Sequence, residues 1–520
     1  MSLLRALVLC LVSGLLLVGC REDDRLKAIP ECTPRPEICN GFDDDCDGAV
    51  DEELGTIACG EGACAREIPR CAAGVEQTCT AGGVVAETCN GVDDDCDGQI
   101  DESLLPTTCG VGECAAVSST CAGGDSVTCT PGDPVAEVCD GLDNDCDGTV
   151  DEDLITNVSS DRRITNNPSS SDYVYVEASA QGFGVVWQDR RDGDAFKGDI
   201  YFAPLSKTGD RLRSTDVRLT ETAGNTAHPA LAWNGDRFGL VYSDDGVGNS
   251  ELYFQTVEAD GAKTGPAVRL TNAPNSSEWP DLVWTGSTYA VAWADERNSR
   301  GKEDIFFVLL DADGNKLSAE VQVTLDADKQ QSPVLKWSGS EFGLVWTDFR
   351  HGNREIYFQR LTADGTLLGR EVRVTNDSDD SSWPDLAWNG SSWAVVWQDN
   401  RDGNYEVYLA TLNAKGEKQG RDLRITNANG YSGYPSIDWN GFQFGLSWQD
   451  DRGGEPAVYF VSVSSAGVRN GKDLKVSNGR GQSTFTTALW NGSTFAFAWR
   501  DDRDAPTGNS EIYFAYVGCP

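Results

Sequence analysis

Beyond Val158 the chain alternates short apolar runs with polar turns, and the pattern returns at a period of about 51 to 55 residues. Runs of this length bounded by turn residues read as strands. Each unit holds four: a first ending near Trp388-Asn-Gly390, a second such as Trp393 to Trp397, a third such as Glu406 to Leu412, and a fourth such as Arg424 to Thr426. Asn-Gly between two apolar runs is a strong hairpin signal, because a type I′ turn needs positive φ at both central residues. The most regular mark is an aromatic residue ending a strand, then an acid and usually an arginine. It stands at Trp187-x-Asp189, Trp293-x-Asp295-x-Arg297, Trp346-x-Asp348-x-Arg350, Trp397-x-Asp399-x-Arg401, Trp448-x-Asp450-x-Arg452 and Trp499-x-Asp501-x-Arg503, with Tyr242-x-Asp244 the divergent copy. Seven units of four strands predict an all-β fold, a seven-bladed β-propeller over residues 158–520.

The last unit finishes with its third strand, Glu511 to Val517, and a spare fourth-strand sequence, Arg163-Ile-Thr165, stands before the first unit. Its likeness to Arg269-Leu-Thr271 and Arg373-Val-Thr375 predicts that the amino end of this domain completes the seventh blade and removes the open edge.

Residues 32–157 follow another rule. The stretch Cys39-Asn-Gly-Phe-Asp-Asp-Asp-Cys-Asp-Gly-Ala-Val-Asp-Glu52 recurs at Cys89 to Glu102 and Cys139 to Glu152. Asp43, Asp45, Asp47 and Asp51 in the first copy, Asp93, Asp95, Asp97 and Asp101 in the second, and Asp143, Asp145, Asp147 and Asp151 in the third match the opening D-x-D-x-D-G of a calcium loop. Hard cations need several oxygens converging on one point, and Gly48 allows the sharp turn that brings them together. The EF-hand pattern stops early, because Leu54, Leu104 and Leu154 stand where its bidentate Glu belongs; the acid comes two residues sooner, at Glu52, Glu102 and Glu152. A disulfide-pinned loop like a thrombospondin type 3 repeat is the nearer likeness. Calcium is the expected cofactor; solvated acidic turns are the bland alternative.

With Cys10 and Cys20 set aside, sixteen of the eighteen cysteines remain, fifteen between Cys32 and Cys146 and the last at Cys519. A region so rich in Gly, Asp and Cys cannot build an ordinary core, so disulfides and ions must stabilise it. Thiolate zinc is the competing reading, but the CxxC pairs of structural zinc sites are absent. The odd count predicts a bond from Cys519 to the last repeat, with Cys146 the first choice and Cys139 or Cys129 behind it.

Arg5 precedes an apolar run from Ala6 to Val18, too short for a comfortable membrane span and right for a signal-peptide core. Leu17-Val18-Gly19-Cys20 resembles a bacterial lipobox, which implies a signal peptide of residues 1–19, lipidation of Cys20, a tether over 20–31 and attachment to the membrane through acyl chains alone. Arg21 after the lipidated position favours, by that resemblance, the outer membrane, with surface exposure open. Between Arg21 and Asn157 thirty-three acids stand against six bases, a large share of the chain's net charge of -41. Phosphate binding needs basic stripes, so nucleic acid is excluded as a partner.

The three acidic blocks resemble the metal-binding repeat named after the copper protein MopE. Copper, which that resemblance implies, prefers imidazole or soft sulfur, and the module has no His or Met; His228 and His351 both lie in the propeller. The unit from Pro384 to Tyr408 is similar to TolB-type propeller repeats, with Asn-Gly where those usually carry Pro-Asp-Gly. Nucleophilic and cofactor chemistries lack their parts, so the chain is read as a non-enzyme; acids paired for glycoside hydrolysis are the alternative. What varies between blades is the residue entering the innermost strand: His228, Trp279, Ser332, Trp383, Tyr434 and Phe485. These are expected to ring one mouth of the central channel on the face of the DxR loops. Trp279, Trp383, Tyr434 and Phe485 are the candidate ligand platform, with blade packing the competing role. The sequence thus predicts a lipid-anchored cell-envelope binding or scaffold protein whose partner is an envelope protein or a glycan. The alternatives are a carbohydrate-binding or glycan-hydrolysing surface propeller and a copper-binding MopE-like protein.

Overall fold

The computed structural model describes residues 33–138, 142–148, 154–155, 157–192, 197–326, 328–479, 481–504 and 509–518. The expected signal peptide over residues 1–19, Cys20, Cys139, Asp151 and Cys519 lie outside the described residues. Two compact units form: residues up to 109 with 116–130, and residues 110–115 with 131–520. Among the described residues no helix is long and apolar enough to cross a membrane.

Seven antiparallel sheets make the propeller. The innermost strands are Ser171–Ser179, Thr226–Trp233, Ser277–Trp284, Gln330–Trp337, Ser381–Trp388, Ser432–Trp439 and Ser483–Trp490. The second strand of each blade is sandwiched on both faces, so it reads as a continuous apolar run; every residue of Gly182–Asp189 and Gln443–Asp450 is buried. Glycines there make room for the next blade. A Cβ on Gly343 would lie 2.7 Å from the Trp393 ring, and one on Gly445 would lie 2.3 Å from that of Phe495. The fourth strand departs from expectation: it is Lys418–Arg424 instead of Arg424 to Thr426, and it shrinks to Val217–Arg218 and Val321–Gln322 in the first and third blades. An outer strand facing water carries little apolar alternation to mark it.

The repeated aromatic-acid-arginine motif is structural. Asp399 is fully buried and receives the Trp397 indole N–H at 2.8 Å, the Ser381 hydroxyl at 2.8 Å and the Arg401 guanidinium at 2.6 and 2.8 Å. Burial opposes the charge on Asp399, but these donors, Arg401 foremost, hold its carboxyl below the usual range. Arg401 also lies over the Tyr408 ring. Arg191 completes the motif in the first blade, where it pairs with Asp189. In the divergent second blade Asp244 takes the Gly246 N–H and the Thr222 hydroxyl instead.

The ring closes as the chain ends predict, with a longer clasp. Arg162–Arg163 pairs with Phe514 and Tyr513, the Ile164 N–H donates to Ile512, and Asn157–Val158 pairs with Gly518 and Val517. Glu511, almost fully buried, accepts from Arg163 at 2.7 Å and from the Thr165 hydroxyl.

The cysteine-rich repeats hold short hairpins and six described disulfides: Cys39–Cys71, Cys59–Cys79, Cys64–Cys96, Cys89–Cys121, Cys109–Cys129 and Cys114–Cys146. Two of the three expected partners of Cys519 are thereby taken, because Cys146 bonds Cys114 and Cys129 bonds Cys109. The cause is an interlocking repeat: the turn Gly62–Cys64 latches onto the second acidic loop, with the Ala63 N–H donating to the Asp93 carbonyl, and Gly112–Cys114 latches likewise onto the third.

Candidate metal loops and the channel mouth

Each acidic loop is folded back by its cysteine as well as its glycine. Cys46, Cys96 and Cys146 have φ of 69, 64 and 65°, and Gly48, Gly98 and Gly148 have φ of 99, 95 and 92°. Backbone N–H groups inside the curl fix the acids: Gly48 donates to Asp43 at 3.0 Å and Asp47 to Asp45 at 3.1 Å, with the same bonds from Gly98 to Asp93 and from Gly148 to Asp143. Carboxylate oxygens of Asp43, Asp45 and Asp47 thus gather within 4.8 Å of one another, as do those of Glu37, Asp45 and Glu52, and of Glu87, Asp95 and Glu102.

Asp51 and Asp101 do other work. Asp51 accepts the N–H groups of Asn40 and Gly41, and Asp101 those of Asn90 and Gly91, so both tie the base of their loops. Further acids take part in the described parts of the repeats. Glu37 accepts from Asp44, Asp45 and Asp51 N–H groups and so braces the loop; Glu87 does the same, and Glu137 accepts from Asp145. Glu52 and Glu102 have no such role: both oxygens of each are buried and take no hydrogen bond from another residue, only their own backbone N–H bearing on them, and Asp93 Oδ1 and Asp143 Oδ1 are buried without a donor. The signal for the braces was the Glu two residues before Cys39, Cys89 and Cys139.

Burial, together with the crowding of Asp47, Glu37 and Asp43 around it, pushes the Asp45 carboxyl above its ordinary range; Asp95 and Glu102 are raised in the same way. Orphaned, mutually repelling oxygens suit a cation. The donor set is all oxygen, the set of a hard ion, while thirteen cysteines of the module are locked in disulfides and offer no thiolate to copper or zinc.

In the propeller the variable positions sit two residues inside each innermost strand, at a break in register that occurs in all seven blades. The residues there have φ of 48 to 55°: Tyr173, His228, Trp279, Ser332, Trp383, Tyr434 and Phe485. A bulge of this kind re-aims a side chain, here into the channel mouth. Tyr173 completes the set in the first blade, where Val174 replaces the proline that follows five of the others. The rings meet one another across the mouth: His228 stacks on Trp279 at 3.8 Å, Trp279 reaches Trp383 at 5.8 Å, Trp383 meets Tyr434 at 5.1 Å and Tyr434 meets Phe485 at 4.5 Å. All keep part of their surface open to the mouth, His228 with its ring largely enclosed, whereas the packing between blades falls to Trp187, Trp346, Trp397 and their equivalents. Ser171, two residues before Tyr173, bonds Asp189, which places the collar on the face of the DxR motifs.

Beneath the collar lies a cavity of about 310 Å³. Strand alternation carries two further rungs into the channel, one with Asp281 and Asp385, the next with Glu177, Lys336 and Asp438. Each acid also clips its blade to the following one: Asp281 accepts the Leu335 N–H, Asp385 that of Ile437, Asp438 that of Trp490, and Glu177 that of Trp233. Burial raises the Glu177 carboxyl to about 8 and that of Asp281 to about 6. It lowers the His228 imidazole to about 4.

Known proteins resemble parts of this chain. The MopE copper-binding family model, described as a "Putative metal-binding motif", matches residues 34–52, 84–102 and 127–152. Among curated proteins no sequence matches the chain. Solved structures similar to it include a subtype N10 neuraminidase-like protein from the little yellow-shouldered bat, at 11% identity and a TM-score of 0.39, covering 70% of this chain and 99% of that one. A mutant of Trypanosoma rangeli sialidase displaying trans-sialidase activity matches at 9% identity and a TM-score of 0.40, covering 69% and 59%. Native Bacillus subtilis arabinanase Arb43A matches at 12% identity and a TM-score of 0.29, covering 45% and 92%.

Proposed function

We propose that this chain is an exported, lipid-anchored envelope protein in which calcium-loaded, disulfide-pinned repeats accompany a propeller that binds a ligand at its aromatic mouth. The observation that carries the metal half is the pair of buried Glu52 and Glu102 carboxylates that no other residue's donor satisfies, gathered with Glu37 and Asp45 in the first loop and with Glu87 and Asp95 in the second. Asp43, Asp45, Asp47 and Glu52 hold the ion in the first loop, and Asp93, Asp95, Asp97 and Glu102 in the second. Calcium would supply no reaction; it would neutralise carboxylates that otherwise repel and so order the loop. Export is supported by the disulfides, which persist in oxidising compartments, and the anchor by the Leu17-Val18-Gly19-Cys20 sequence.

Calorimetric titration tests the reading: about three calcium sites are expected, with Asp45→Ala or Asp95→Ala removing one each. Equal affinity for calcium and copper, or no binding of either, sinks it.

A further inference from the structure

The cavity under the collar is negatively charged at its floor and aromatic at its walls. Glu177, Asp281 and Asp385 line it against one lysine, Lys336, and Asp438 stands on the same rung as Glu177. Burial works against the Lys336 charge, and Asp385, Asp438, Asp281 and Glu177 more than restore it. Glu177 holds its proton at neutral pH, but Asp281, Asp385 and Asp438 still outnumber the one ammonium, which leaves room for a second cation. Among the described residues no arginine lines the cavity, and the one imidazole there, His228, is kept uncharged by burial. An anion would meet carboxylates below and the rings of Trp279, Trp383 and Tyr434 around it, neither of which attracts it. A cation meets attraction from both, since a ring face draws positive charge most strongly where water is excluded.

We propose that the channel mouth binds a small organic cation, an alkylated ammonium group seated against Trp279, Trp383 and Tyr434 above Asp281 and Asp385. The inference rests on the mouth being a binding surface and adds the chemistry of what it takes. A cavity of about 310 Å³ is at the small end for ligand pockets, which fits a compact ammonium head. The carboxylates compensate the hydration that the ion loses on entry. Each acid still clips its neighbouring blade, so the charged floor comes with the closed ring and needs no rearrangement.

Titration calorimetry of the full chain tests this with choline, its uncharged isostere bearing a tert-butyl group, and a neutral trisaccharide. Choline should bind about tenfold or more tighter than the isostere, the size of effect a desolvated cation–π site gives. Trp383→Ala should weaken choline about tenfold, and Asp385→Asn should weaken choline while leaving the isostere unchanged. Lys336→Gln should tighten choline several-fold, a gain that a misfolded variant cannot imitate. Binding of the isostere or the trisaccharide as tightly as choline overturns the cationic ligand but keeps the mouth as a binding site. Binding of none of the three overturns both.

Discussion

The acidic repeats and the propeller each bury a recurring carboxylate, and they treat it in opposite ways. In every propeller blade but the second, the acid after the aromatic residue is met by an arginine at two oxygens and by an indole N–H or a hydroxyl, as Asp399 shows. In the loops the Glu52 and Glu102 oxygens are buried with no donor from another residue, only their own backbone N–H bearing on them. An acid that is fully paired is a structural part, and removing it leaves its partners unpaired. An acid that is crowded and unpaired destabilises the loop until something positive arrives. The surrounding packing differs in the same sense. The propeller encloses Trp187, Trp293, Trp346 and Trp448 at 1% exposure or less, while the cysteine-rich repeats leave Phe42, Val84 and Leu105 in solvent and rely on disulfides.

The harshest way to break the propeller side of this contrast is to remove its clasp. A chain starting at Asn166 loses the buried Ile164 and strips Glu511 of Arg163 and Thr165, at a cost on the order of 5 kcal/mol against one starting at Asn157. Urea unfolding followed by tryptophan fluorescence reads it; equal midpoints would count against the ring closure.

Asp399→Ala and Glu52→Gln set the two kinds of acid against each other. The first should cost about 3 to 5 kcal/mol by stripping the Trp397 indole of its acceptor and Arg401 of its bidentate partner, with Asp422 left to it. The second should leave the metal-free protein as stable or more so, and should lower calcium affinity. Matched losses from the two changes would erase the distinction.

A disulfide sharpens the comparison further. Cys39 and Cys89 bond partners 32 residues downstream, and Ser171 stands at the matching place for Cys139. We therefore expect Cys139 to pair with Cys519 in mass mapping of the unreduced protein, a link worth a few kcal/mol and on the order of 5 at most. A free Cys519 thiol would refute it.

The smallest effect is one of pH. The Glu177 carboxyl, raised by burial to about 8 from an ordinary 4.5, holds its proton longer in the folded channel than in the unfolded chain, the Trp233 N–H and Lys336 opposing this and Asp438 and Asp281 adding to it. Its contribution is complete below the unfolded value and is lost as pH rises toward and through 8. Propeller stability should fall over that window, and Glu177→Gln should flatten the fall; an unchanged slope in the variant would contradict the assignment.

The propeller was legible because its second strands are buried on both faces and its hairpins carry Asn-Gly, so pattern and packing agree at Trp388 to Trp397. The outer strands were not, since Lys418–Arg424 faces water and shows no apolar period. In the loops the alternating Asp43, Asp45 and Asp47 could be read as convergent, but the division of labour between Asp51 and Glu52 could not, because it depends on which side of the turn at Asp51, with φ of 58°, each carboxylate leaves the backbone. The collar was visible as a variable position beside proline; the charged rungs beneath it followed from strand alternation after Trp279 and Trp383, a step that needs the channel-facing side of each strand to be known.

The claim that the unpaired carboxylates await a hard cation is tested most directly by elemental analysis of the exported protein purified without chelator. About three calcium ions per chain, removed by chelation and regained on dialysis, with copper at background, is the result expected. Copper in stoichiometric amount, with calcium absent, would contradict it.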